Sequence, residues 1–131
     1  MNVRNLLLIN TVAAAMFGLT LVIFPGQLAA MYGVTADAGL RYMGQLYGAC
    51  LVGIAVLCWY ATDAPESEAR TAVLRALFVF NGLSLAVSLV AQINGVTNAV
   101  GWSAVAIYLF FALGWAYFLR AKPAAGPRSG D

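Results

Sequence analysis

The sequence predicts an all-α integral membrane protein, a bundle of four transmembrane helices with both the N-terminus and the C-terminus cytoplasmic. Three observations predict it. Hydrophobic residues fill 63% of the 131 positions and charged residues 9%, where water-soluble domains carry about 25% charged residues. The apolar residues collect into four runs, each close to the roughly 20 residues that cross a hydrocarbon core as a helix. Arg4, Arg70, Arg75, Arg120, Lys122 and Arg128 fall on one side of these runs and Arg41 alone on the other, so the positive-inside rule assigns the first group to the cytoplasm. The chain is read as one domain, residues 1–120, with a cytoplasmic tail, 121–131, that has too few large apolar side chains to pack and is expected to be disordered. By these readings the chain is one that crosses a membrane several times.

The first span covers about 6–24. Ala13, Ala14 and Ala15 have the small side chains of a signal-peptidase site, but the apolar run continues to Phe24, past the usual length of a signal-peptide core, so the helix is read as retained. Pro25 and Gly26 stop it, the one lacking an amide donor and the other relaxing the backbone. Residues 27–31 suit a short amphipathic turn in the interface, closed by Tyr32 and Gly33, with Thr35 or Asp37 as the next helix cap.

The second span, about 40–60, has two unlike faces at about 100° per residue. Arg41, Gly44, Gln45, Gly48, Ala49, Val52 and Ala55 form a small and polar face. Met43, Leu46, Tyr47, Cys50, Ile54, Leu57 and Cys58 form a bulky one suited to lipid tails. Gly44 with Gly48, and Ala49 with Gly53, have the small-xxx-small spacing that lets helices approach closely. This ladder is expected to meet the polar face of span three, with a dimer interface as the other use of the same pattern. Cys50 and Cys58 stand about 12 Å apart along one helix, too far for a disulfide, and are read as packing residues.

A polar connection follows, in which Asp63 and Glu66 resemble a capping box and Glu66 with Arg70 an i, i+4 ion pair. Span three, about 72–93, places Asn81, Ser84, Ser88 and Gln92 within roughly 80° of one another and Val79, Leu83, Val87 and Val90 opposite. Asn81 is expected to hydrogen-bond across the bundle. Residues 94–98 are short and rich in helix breakers, so spans three and four should form an antiparallel hairpin. Span four, about 100–119, is bulky, with Trp102 near one boundary and Trp115 and Tyr117 near the other.

Arg41, Gln45, Ser88, Gln92 and Asn98 all fall in the half of the bundle away from the cytoplasm. They are the candidate ligand-binding residues, an outward polar pocket for an anionic or carbonyl-bearing ligand. Arg41 alone also reads as an interfacial anchor paired with Asp37 or a lipid phosphate. Gly44, Gly48, Ala49, Gly53, Asn81 and Ser84 are the candidate helix-packing residues.

Several chemistries are missing from the sequence. It has no histidine, which excludes histidine-ligated haem, histidine-containing zinc sites and His-based acid–base catalysis. No catalytic, metal or cofactor signature occurs, and none of these is expected. All five acids lie in loops or the tail, unlike a proton-coupled drug exporter. No Cys-x-x-Cys motif is present for thiol exchange, and span three lacks the glycine- and threonine-rich break of small fluoride channels. The net charge of +2 is too small to imply nucleic acid. The leading expectation is a non-enzymatic accessory or assembly subunit, or a binder of a lipid or small amphipathic ligand. The rival is a transporter or channel subunit with a polar path along spans two and three. Expected partners are membrane lipid and either further copies of the chain or another membrane subunit.

The stop at Phe24, Pro25 and Gly26 followed by Met31, Tyr32 and Gly33, the sequence Arg41...Gly44...Gly48 at the start of span two, and Gly101-Trp102 opening span four together resemble the small bacterial four-helix inner-membrane proteins of DoxX-like layout. The resemblance covers nearly the whole chain. It implies a fold and a compartment and transfers no active site.

Overall fold

The computed structural model describes residues 1–121, which form helices and turns only. The helices are α1 (Val3–Ile23), α2 (Pro25–Met31), α3 (Ala38–Thr62), α4 (Glu68–Ile93) and α5 (Gly101–Ala121). Four of them, α1, α3, α4 and α5, are long and apolar enough to cross a membrane. The segment read as an interfacial turn is a helix of its own, α2. The tail expected to be disordered lies, from residue 122 onward, outside the described residues.

Local chemistry sets most boundaries. The Asn2 side chain accepts from the Asn5 amide and opens α1. Pro25 ends that helix and takes the first position of α2, where its missing N–H costs nothing. Asp37 caps α3 by accepting from the Leu40 amide at 2.8 Å.

The cap of α4 differs from the expectation. Pro65 disfavours helix at the residue before it, so the helix starts beyond it, with Ser67 accepting from the Arg70 amide at 3.1 Å. Asp63 instead closes α3 and pairs with Arg4 at 3.4 Å. Glu66 precedes the helix, so it has no i, i+4 relation to Arg70, whose Nε donates to the Ala61 carbonyl.

The long helices associate as two antiparallel pairs, α1 with α3 and α4 with α5. In the first pair, Gly48 backs onto Gly18. A Cβ at Gly48 would stand 2.7 Å from the Gly18 carbonyl oxygen, and a Cβ at Gly18 would stand 2.8 Å from the Gly48 oxygen. The glycine ladder therefore meets α1 rather than the polar face of α4. The reason is complementarity: Gly18 supplies a matching notch, and two helix backbones approach most closely where both lack side chains. Gly44 sits at the same seam beside Leu21 and Pro25, whereas a Cβ at Gly53 would meet nothing within 4 Å, and Ala49 is exposed.

The two pairs converge at the end that carries the start of α1 and the end of α5. There Leu6, Leu7, Cys58, Leu74, Leu77 and Phe111 enclose Trp115. Trp115, expected at a membrane boundary, is 0% exposed. Its ring is the largest buried side chain and fills the space where four helix ends meet, while Trp102 and Tyr117 remain exposed. Gly114 permits this closeness, since a Cβ there would stand 2.7 Å from Leu6.

At the opposite end, the α4–α5 connection ties onto the end of α2. The Asn98 amide donates to the Tyr32 carbonyl at 2.9 Å and its side chain donates to the Met31 carbonyl at 3.1 Å. Gly33 adopts φ of 77° beside it, and a Cβ there would meet Asn98; the left-handed backbone and the crowding both favour glycine.

Candidate functional site

Between the convergent end and the α2 end, the two helix pairs form a half-open cavity of about 340 Å³. Its floor is the level of Asn10, Asn81 and Phe111, just above the packed core. Its roof is α2, through Leu28, Ala29 and Tyr32. The α3 side of the wall is the stripe Leu40, Gly44, Tyr47, Leu51 and Ile54, spaced at i, i+4, i+7, i+11 and i+14 as one helical face requires. Among the described residues, no Asp, Glu, Lys or Arg lines it.

Its polar groups are few and uncharged. Asn10, 5% exposed, donates from Nδ2 to the Cys58 sulfur at 3.3 Å and so links α1 to α3. Asn81, 2% exposed, donates from Nδ2 to the Leu77 carbonyl of its own helix at 2.7 Å. This corrects the expectation that Asn81 bonds across the bundle. One turn back, the Leu77 carbonyl is within reach of a short amide, and the space across the bundle is cavity. Because a carbonyl can only accept, the bond also fixes which end of the Asn81 amide is nitrogen.

Higher in the cavity, the Tyr47 and Tyr108 hydroxyls are hydrogen-bonded to each other at 2.6 Å and join α3 to α5 across the gap between the pairs. The Phe80 ring of α4 stands edge-on to Tyr108. Near the roof, the Tyr32 and Ser103 hydroxyls are 3.5 Å apart.

The five residues expected to form an outward polar pocket do not come together there. Ser88 alone of the five lines the cavity. The Gln45 amide donates to the Val22 carbonyl at 3.1 Å, on the α1 side. Gln92 donates to the Asn98 carbonyl and accepts from Thr97, organising the α4–α5 connection. Asn98, besides holding α2, accepts from the Val100 amide. Arg41 is exposed, with its guanidinium over Gly26. The physical reason is rotation: Arg41 and Gln45 each lie one residue, about 100°, beyond the cavity-lining Leu40 and Gly44. Of the residues of α4 read as packing residues, Asn81 lines the cavity and Ser84 is half-buried.

Sequence reasoning placed Tyr47 and Ile54 on a lipid-facing surface and gave Tyr108 no role. A signal for the tyrosines existed. A phenol deep within an apolar span needs a hydrogen-bond partner, and two such residues in different spans are each other's simplest solution.

No curated protein and no solved structure matches this chain. The model of a domain of unknown function, DUF8292, matches residues 1–120, and by that coverage the chain belongs to the DUF8292 family.

Proposed function

We propose that this chain is a non-enzymatic multi-pass protein of a bacterial inner membrane that binds a neutral, largely apolar small molecule or lipid drawn from the bilayer. The observation that carries this reading is the uncharged cavity of about 340 Å³ between the helix pairs. Its size falls in the range of small-molecule sites, which are mostly apolar with a few placed polar groups. An ion would lose its hydration there with no opposite charge to replace it, at a cost of several kcal/mol or more. Binding is favoured over a polar conduction path because the Trp115 core lies beneath the floor and Gln45 and Arg41 turn away from the cavity.

In this reading the start of α1 and the end of α5 face the cytoplasm, as the Arg4, Arg70, Arg75 and Arg120 bias favours, and the layout is DoxX-like. Arg41 serves as a headgroup anchor at the outer surface.

The test is native mass spectrometry of the full chain released from mild detergent, with Ala104→Trp as the comparison. Ala104 is half-buried on the cavity wall, and an indole there would occupy much of the space. A bound neutral species carried by the unmodified chain and lost from the folded variant is the expected result. Equal retention by both would refute the reading.

A further inference from the structure

We infer that the cavity recognises a single-chain neutral amphiphile by a hydroxyl group that donates to Asn81 at the cavity floor. The inference rests on the binding role proposed above and adds the ligand's chemistry.

The argument starts from the hydrogen-bonding capacity of Asn81. A side-chain amide has two donor hydrogens and an acceptor oxygen with two lone pairs. In Asn81 one hydrogen of the nitrogen goes to the Leu77 carbonyl, which leaves the second hydrogen and Oδ1. The residue is 2% exposed and lines the cavity, and no group among the described residues donates to that oxygen. A buried acceptor in an apolar site selects for a donor. Asn10 stands at the same floor with one hydrogen directed to Cys58, so each amide offers a ligand its oxygen and one remaining N–H, and a hydroxyl, which both donates and accepts, matches them where an ether cannot. Higher up, the Tyr47 and Tyr108 hydroxyls are paired with each other.

Charge and size narrow the class. Among the described residues the lining carries no Asp, Glu, Lys or Arg, which disfavours a carboxylate, a phosphate or an ammonium. A volume of about 340 Å³ lies at the small end of ligand sites, which suits one acyl or isoprenoid chain. A second, wholly apolar hollow between α1 and α5 shares Ala13, Ile107 and Phe111 with the cavity and gives the far end of a longer chain a way toward the bilayer.

The experiment measures binding to the full chain in nanodiscs by thermal shift, with three probes of equal chain length: 1-dodecanol, its methyl ether, and dodecanoate at pH 8. The alcohol offers a donor, the ether only an acceptor, and the anion a charge. The expected result is that the alcohol binds about tenfold or more tightly than the ether, with no binding of dodecanoate. Asn81→Leu should abolish the preference for alcohol over ether while leaving the ether unchanged. Equal binding of alcohol and ether to the unmodified chain would overturn the hydroxyl assignment, and so would tighter binding of dodecanoate. The first comparison needs no variant, so misfolding of Asn81→Leu does not blunt the test. If none of the probes binds and Ala104→Trp changes nothing, the cavity reading itself has failed. If alcohol and ether bind equally and Ala104→Trp removes both, only the hydroxyl assignment has.

Discussion

Replacing Gly48 with alanine tests the α1–α3 seam most directly, and Gly53→Ala in the same helix is its control. A Cβ at Gly48 would stand 2.7 Å from the Gly18 carbonyl oxygen, 2.8 Å from Leu21 Cβ and 3.0 Å from the Val22 amide nitrogen. Two of these three atoms are backbone, so no side-chain rotation relieves them. Comfortable contact of carbon with its neighbours is at about 3.5 Å, and α1 and α3 must therefore separate by roughly half an ångström or more. A gap of that size forfeits about a quarter to a half of each van der Waals contact along the seam, and overpacking of this kind costs about 1–3 kcal/mol. At Gly53 the new methyl meets nothing within 4 Å. Both substitutions bring the same gain in helix propensity, up to about 1 kcal/mol, so it cancels in the difference. Gly48→Ala should thus be about 1–3 kcal/mol less stable than Gly53→Ala. Equilibrium unfolding in mixed micelles of mild detergent and SDS, followed by circular dichroism, reads that difference directly. The double substitution Gly18→Ala with Gly48→Ala should cost less than the sum of the singles, because one separation of the helices relieves both clashes. Equal stability of Gly48→Ala and Gly53→Ala would refute the close glycine contact.

The two cysteines should differ in reactivity: in mild detergent, membrane-permeant N-ethylmaleimide is expected to reach Cys50, on the outer surface of α3, before fully buried Cys58, as intact-mass spectrometry would record. Trp115→Phe should be close to neutral, within about 1 kcal/mol, since the buried Nε1 donor has no partner among the described residues and its removal offsets the lost ring volume. Trp115→Ala should cost about 3–5 kcal/mol by the same unfolding assay. Asn98→Ala should release the end of α2 by removing the bond to Met31 and the acceptor for Val100, seen as faster hydrogen exchange over α2 with little change in α1. A C-terminal alkaline phosphatase fusion should be inactive and a C-terminal fluorescent-protein fusion bright; the reverse pattern would overturn the orientation proposed for the chain.

The sequence by itself determined the number of long helices and most of their limits. Those depend on local chemistry: apolar runs of spanning length, Pro25 after Phe24, Asp37 ahead of α3, and the breakers between α4 and α5. It also picked out the polar face of α4, since an i, i+3, i+4 pattern is a property of one helix. Only the tertiary structure decided which faces meet. Gly48 suits any close partner, and it found Gly18 because α1 alone presents a matching notch there. Trp115 carries the composition of an interfacial anchor, yet it fills the core because four helix ends converge on it. The cavity was hidden for the same reason. Its lining comes from all five helices, each contributing a stripe that looks ordinary alone, and a rotation of about 100° separates Leu40 and Gly44, which line it, from Arg41 and Gln45, which do not.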